Sequence, residues 1–306
     1  MRNFLYAVGL ATVILLNAAV VKASNEVYYT NINHLEMTEQ QYNNLLNQGF
    51  TEEQIYRMDE NEFLENKDVE ASLVSEEKKY IKMHTTLING IKYTTSTVLS
   101  ELQYQEALLQ AQQPTYSPNV SGSYYDGDYW DSMFEIVTRI ANINDLVFRF
   151  KMDVYWDTMP VDKYYDIMGI GFDVNKVHIG TDIFFRQDWQ TYSDVFDYSL
   201  SCYTKDENTG GSVIFELPDV STSSLKNMSQ YMYFYVVKNT GVGTLNTLEA
   251  VGSYAHADTY YNPSPLVTNG LYNNFTTNIG GIDIDAPYRS HYDIIAPVTA
   301  EFVGTW

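Results

Sequence analysis

The sequence predicts a mainly β protein, an antiparallel β-sandwich of jelly-roll-like design preceded by a small helical segment. Three observations lead there. About nine short strand-like runs follow residue 123, separated by Gly, Asn, Asp and Pro turns, which is the rhythm of a sandwich. The chain holds 27 Tyr and is 15% aromatic, a composition that suits packed strands. Ahead of these runs, three helix-capping patterns stand in a row.

Residues 1–23 open with Met-Arg-Asn, continue through an almost wholly apolar stretch over 4–16, and close on Val21-Lys22-Ala23. A basic start, a short apolar run and compact residues at the third and first places before the cut describe a secretory signal peptide removed after Ala23. Asn17 divides the apolar stretch and Lys22 ends it, so it falls short of the ~20 residues that cross a bilayer. No comparable run follows. The expected location is secreted and extracellular, with no transmembrane segment once the leader is gone.

Residues 24–68 read as a short-helix module. Thr38-Glu39-Gln40-Gln41, Thr51-Glu52-Glu53-Gln54 and Asp59-Glu60-Asn61-Glu62 each place a short oxygen-bearing side chain where it can accept from the N3 amide, with Gln or Glu reaching back. Helices are predicted over 38–48, 51–58 and 60–66, the first stopped by Gly49 in the left-handed conformation. Capping chemistry specifies structure alone, so the module is expected to be a spacer or a cap on the β part, with a docking module as the alternative. Residues 69–117 supply a hairpin, a helix and a linker. Asn89-Gly90 between Leu87-Ile88 and Ile91-Lys92-Tyr93 is a strong hairpin signal. A helix over 98–113 runs into Pro114, and the Pro-, Ser- and Gly-rich stretch that follows marks the boundary.

Residues 118–306 are the expected β-sandwich domain, with strand-like runs at 134–140, 148–157, 165–174, 176–187, 196–203, 211–217, 230–239, 245–258 and 296–303. Phe148, Phe150, Met152, Val154 and Trp156 alternate with Arg149, Lys151, Asp153, Tyr155 and Asp157. Period two of this kind predicts a half-buried strand with its charged face in water. Tyr231, Tyr233 and Tyr235 share one face of another strand, and their hydroxyls predict a wet face or a contact surface.

Composition excludes several roles. Lys and Arg number 18 against 39 acids, for a net charge of −21, which argues against nucleic acid and anionic membranes as partners. The single cysteine, Cys202, excludes an intrachain disulfide and any Cys-based metal cage, and with no basic context around it reads as structural. No nucleophile elbow, zinc-protease pair, phosphate loop or dinucleotide fingerprint is present, so no catalytic residue is assigned.

The candidate sites are surface chemistry. Tyr124, Tyr125, Tyr129 and Trp130 crowd an acidic loop, and Tyr260 and Tyr261 precede Asn262-Pro263. Rings beside carboxylates and amides suit sugars, against the plainer reading of ordinary core and edge tyrosines. Asp126, Asp128 and Asp131 are loop acids of the kind that take calcium, which is the one cofactor considered. His256-Ala257-Asp258 and His291-Tyr292-Asp293 each put an imidazole and a carboxylate on one strand face. If the two triplets met, they would form a metal or acid–base site.

The capped helices of residues 37–68, with Gly49-Phe50 and Asn66-Lys67-Asp68, are similar to the N-terminal part of a group of uncharacterised secreted proteins of Gram-positive bacteria. Tyr155-Trp156-Asp157-Thr158-Met159-Pro160, Tyr165-Asp166-Ile167-Met168-Gly169-Ile170-Gly171-Phe172 and Gly304-Thr305-Trp306 resemble the same group. The resemblance implies export from a Gram-positive cell and transfers no activity and no site residue. The sequence therefore points to a secreted, non-enzymatic binding or surface-interaction protein, its partner a glycan or a protein at the cell exterior. The alternatives are a secreted hydrolase with an acid/His site on the sandwich, and a pore-forming or self-assembling β protein.

Overall fold

The computed structural model describes residues 27–111, 129–207, 209–221, 224–244, 246–258 and 292–305. The predicted leader lies outside these residues. Among the described residues, no helix is long and apolar enough to cross a membrane, which leaves β-barrel insertion unaddressed.

The N-terminal module has a two-residue ladder, β1 (Tyr29–Thr30) with β2 (Glu36–Met37), and three helices: α1 (Glu39–Asn47), α2 (Glu52–Arg57) and α3 (Glu60–Asn66). Thr38 and Thr51 close full capping boxes with Gln41 and Gln54, and Asp59 accepts from the Asn61 and Glu62 amides. Helix α1 ends in a Schellman motif: the Phe50 amide donates to Leu45 O at 3.2 Å and the Gly49 amide to Leu46 O at 2.9 Å. Gly49 sits at φ +88°, which a side chain would strain.

Strands β3 (Ser72–Ile88) and β4 (Ile91–Leu99) form the hairpin, turned at Asn89 and Gly90 with φ of 53° and 75°, as a two-residue primed turn requires. Helix α4 (Glu101–Ala111) follows, three residues later than the predicted start because Val98 and Leu99 complete β4. Twelve further strands are β5 (Tyr129–Asn144), β6 (Val147–Thr158), β7 (Tyr165–Gly171), β8 (Val177–Ile179), β9 (Phe184–Thr191), β10 (Phe196–Ser199), β11 (Tyr203–Glu207), β12 (Gly210–Glu216), β13 (Leu225–Lys238), β14 (Thr247–Ala257), β15 (Tyr292–Ile294) and β16 (Val298–Val303).

Among the described residues every pairing is antiparallel. An eight-stranded sheet runs β10-β9-β13-β6-β5-β3-β4, with β8 also on β13; a six-stranded sheet runs β11-β12-β7-β14-β15, with β16 also on β14. Two of the predicted runs split. Residues 176–187 give both β8 and β9, and residues 196–203 leave the large sheet after β10 and enter the small one as β11. The sheets face each other over a core that includes Phe134, Phe148, Phe150, Met152 and Phe234 of the large sheet and Met168, Ile170, Phe215 and Leu248 of the small one. The fold is thus the antiparallel β protein with a few helices that the patterning called for.

The outer face of the large sheet departs from expectation. Arg149, Lys151 and Asp153 are fully buried, so β6 is covered on both sides rather than half-wet. The helical module lies on this face. Leu45, Phe50, Ile55, Met58 and Phe63 pack onto Tyr231 and Tyr233, so of the two expectations for the tyrosine face of β13 these two rings meet the second, a contact surface, while Tyr235 is half-buried. Neutral amides from the module meet the charges. Arg149 donates to Gln48 Oε1 at 2.6 Å and Asn66 Oδ1 at 3.0 Å, with its guanidinium 3.6 Å from the Tyr233 ring centroid. Gln54 donates to Asp153 at 2.6 Å and accepts from Lys151 at 3.0 Å, while Asp153 also pairs with Lys151 and Arg139. Tyr231 donates to Glu62 at 2.8 Å, and Arg186 reaches Asp59 at 3.0 Å and the Arg57 carbonyl at 2.8 Å.

On the inner side β14 comes close to β5 at Gly252. A Cβ built on Gly252 would stand 2.1 Å from Thr138 Oγ1 and 3.3 Å from Met152 Sδ. Gly252→Ala should lower the unfolding free energy by about 2–3 kcal/mol in urea titrations, through overpacking. Adding Thr138→Ala should recover part of that loss, because the buried Thr138 hydroxyl has no hydrogen-bond partner among the described residues to forfeit. Additive losses in the double variant would refute the close approach as the cause.

Candidate functional site

At one lateral end of the sandwich, the chain crosses from β10 to β11 and leaves an open groove of about 580 Å³ between the two sheets. Phe215 lines it and packs against Phe185, ring centroids 4.6 Å apart. Period two positions the walls. Gln187 and Trp189 follow Phe185 on the inward side of β9, and Gln187 Nε2 ties β9 to the Glu216 carbonyl of β12 at 3.1 Å. Tyr165 opens β7, Tyr203 opens β11 with 42% of its surface exposed, and Ser199 and Ser201 stand on the crossing. The charged groups among the described lining residues are the carboxylates Glu216 and Asp219. Cys202 lines the groove as well, but it packs on the core and burial pushes its thiol up to about 11, so it is not a thiolate at neutral pH. The site offers ring faces, hydroxyls, an amide and carboxylates: groups that hold a ligand, with no activated nucleophile among them.

A second concentration of polar groups lies where β14 pairs β15 and His256 stands across from Asp293. Asp166 is its hub. That carboxylate accepts from the Tyr254 hydroxyl, from His256 Nδ1 at 3.0 Å and from the Ala257 amide at 2.9 Å. Burial would lower the His256 pKa, but the charge and hydrogen bond of Asp166, with Asp162 and Asp293, raise it above the ordinary imidazole value. Asp293 is pushed up to about 6, by burial first and then by the Asp258 charge. Lys92 pairs with Asp162 at the margin. A histidine braced at Nδ1 by a carboxylate resembles half of a catalytic relay. This imidazole is only 4% exposed, with the Trp156 ring 5.5 Å away, and it serves as a brace.

Of the residues singled out in the sequence, His256, Asp258 and Asp293 do share this corner, while His291 lies outside the described residues, as do Tyr124, Tyr125, Asp126, Asp128, Tyr260 and Tyr261. Tyr129 and Trp130 are consecutive on β5 and so face opposite ways, Tyr129 60% exposed and Trp130 6%. Asp131 is engaged by Lys82 at 2.8 Å and His84 at 2.7 Å; burial alone would raise its pKa, but these two partners hold it below the usual carboxylate value. Among the described residues, no three His, Cys, Asp or Glu side chains are placed to hold a metal ion. The sequence reading missed Asp166, Tyr254 and the whole groove. A single Asp in the otherwise apolar strand Tyr165–Gly171 was the available signal for the first, since a buried carboxylate needs donors.

No protein-family profile matches the chain, and no curated protein matches it. Among solved structures, it is similar to the pilus backbone RrgB from Streptococcus pneumoniae, at 7% identity and a TM-score of 0.28, over 38% of this chain and 26% of that one. It is also similar to the KRT10-binding region domain of the pneumococcal serine rich repeat protein PsrP, at 10% identity and a TM-score of 0.25, over 42% and 79%. A third likeness is to the C-terminal domain of the Streptococcus pyogenes antigen I/II-family protein AspA, at 7% identity and a TM-score of 0.27, over 58% and 80%. The chain spans about a quarter of the pilus backbone's length. Likenesses this slight assign neither a family nor a role.

The acid corner predicts a direction of pH dependence. The folded state binds the Asp293 proton more tightly than the unfolded chain does, so stability should fall as pH rises from about 4 to about 6. His256, with its raised pKa, adds stability below the unfolded imidazole value that is lost as pH climbs through the folded one. Asp293→Asn should flatten the first interval in melting curves taken from pH 4 to 7, and carboxyl-carbon NMR should find the wild-type group titrating near 6. A wild-type midpoint at the ordinary Asp value would contradict the burial argument.

Proposed function

We propose that this chain works outside the cell as a non-enzymatic binding protein that takes a neutral carbohydrate in the groove between β9 and β12. The groove's lining carries the proposal: Tyr165, Trp189 and Tyr203 offer ring faces, while Gln187, Glu216 and Asp219 offer acceptors beside them. Sugar rings present apolar C–H faces and equatorial hydroxyls, and such walls serve both. Carboxylates with no cation among the described lining residues disfavour acidic ligands, in keeping with a net charge of −21. Secretion follows from the leader-like residues 1–23 and enters the proposal on that footing.

The test is a glycan array of neutral oligosaccharides probed with the full chain, followed by titration of any sugar retained. Weak binding, with Kd of about 10–1000 µM, is expected of a shallow groove. Trp189→Ala and Tyr203→Ala should each weaken it at least tenfold while the circular-dichroism spectrum and melting midpoint of Tyr203→Ala stay close to wild type. A blank array, or retention that survives both substitutions, would sink the proposal.

A further inference from the structure

The large sheet ends at β4, whose outer backbone edge has no backbone partner among the described residues. Proteins ordinarily blunt such edges with charges, prolines, bulges or short strands. This one is nine residues long, Ile-Lys-Tyr-Thr-Thr-Ser-Thr-Val-Leu, with no proline and in unbroken register with β3 from Ile91 to Leu99. Its one charge, Lys92, is paired with Asp162. Ile91, Tyr93 and Val98 are 57%, 52% and 48% exposed. In a chain of net charge −21, β4 itself carries no acid, and carboxylates beside it are engaged by the strand, Asp162 by Lys92 and Asp293 by Thr94.

We propose that two copies of the chain join edge to edge through antiparallel pairing of β4 with its counterpart, centred on Thr95. The strand is complementary to itself in that register. On the outer face, Ile91 meets Leu99 and Tyr93 meets Thr97, apolar and aromatic–β-branched pairs that stabilise neighbouring strands. On the inner face, Lys92 meets Val98 and Thr94 meets Ser96, so no like charges stand opposite. The operation is a two-fold axis, the commonest closed symmetry, and it leaves no free copy of this edge. Strand β10 and the groove lie at the far end of the strand order, so docking obstructs neither. One strand pair buries less than a standard interface, so the dimer should form in the range of about 1–100 µM and tighten with salt, which screens the acid-rich bodies.

Sedimentation equilibrium of the full chain across that concentration range should show twice the monomer mass at the upper end. Thr95 is exposed, so Thr95→Lys and Thr95→Glu should leave the melting midpoint unchanged while each weakens the dimer roughly tenfold, by setting like charges face to face. An equimolar mixture of the two variants should recover association to at least the wild-type level. A wild-type chain that stays monomeric throughout, as it would if another part of the same chain covered the edge, overturns the proposal. So does a dimer indifferent to both variants, or a mixture that fails to recover. None of these readouts depends on the groove's ligand.

Discussion

The charges buried between the helical module and the large sheet are the constraint on which the rest of the molecule depends. Arg149, Lys151 and Asp153 sit on a central strand with essentially no access to water. Removing such groups from water costs several kcal/mol per ion unless hydrogen bonds and counter-charges offset it. Part of the offset is electrical, since Asp153 is shared between Lys151 and Arg139. The remainder is supplied by Gln48, Gln54 and Asn66, side chains that belong to the module. Burial together with Arg139 and Arg149 outweighs the Asp153 charge and brings the Lys151 amine down to about 7; burial likewise takes Glu62 up to about 7. The module is therefore integral to the sheet's stability, because without it these groups face one another with too few acceptors.

How much of this was legible depended on whether the signal was local. The capping boxes at Thr38 and Thr51, the Gly49 stop and the Asn89-Gly90 turn are decided by neighbours within a few residues, and the structure has each of them. Alternation along β6 gave the strand and its period but misjudged its outer face. Polar residues at every second place are the pattern of a wet face, and nothing in a ten-residue window reveals that amides nearly a hundred residues earlier will cover it. The tyrosines of β13 carried the same ambiguity, since a ring with a hydroxyl suits both water and a polar contact.

The functional surfaces follow the same division. His256, Asp258 and Asp293 could be suspected from spacing because β pairing preserves a two-residue period, and they do share a corner. Their hub, Asp166, comes from a strand some ninety residues earlier, which spacing cannot announce. The groove was invisible for a plainer reason: it arises where residues 200–202 pass between sheets, and a change of sheet leaves no periodic mark. Its ring faces belong to Tyr165, Trp189 and Tyr203, residues that look ordinary in a chain with 27 Tyr and 4 Trp.

The cover over the buried charges also sets an order of events. The bonds from Glu62 to Tyr231 and from Asn66 to Tyr233 span 169 and 167 residues of chain. Contacts that distant form late and slowly, since a large loop must close before either partner gains anything. A chain emerging amino end first presents the three helices long before β13 exists to receive them. Until then Phe50, Ile55 and Phe63 have no tyrosine surface to rest on, and the helices, six to nine residues long, are too short to persist alone in water. A part of the molecule made before β13 is therefore among the last to reach its final form, and the nascent chain passes through an interval in which an apolar helical segment is on display.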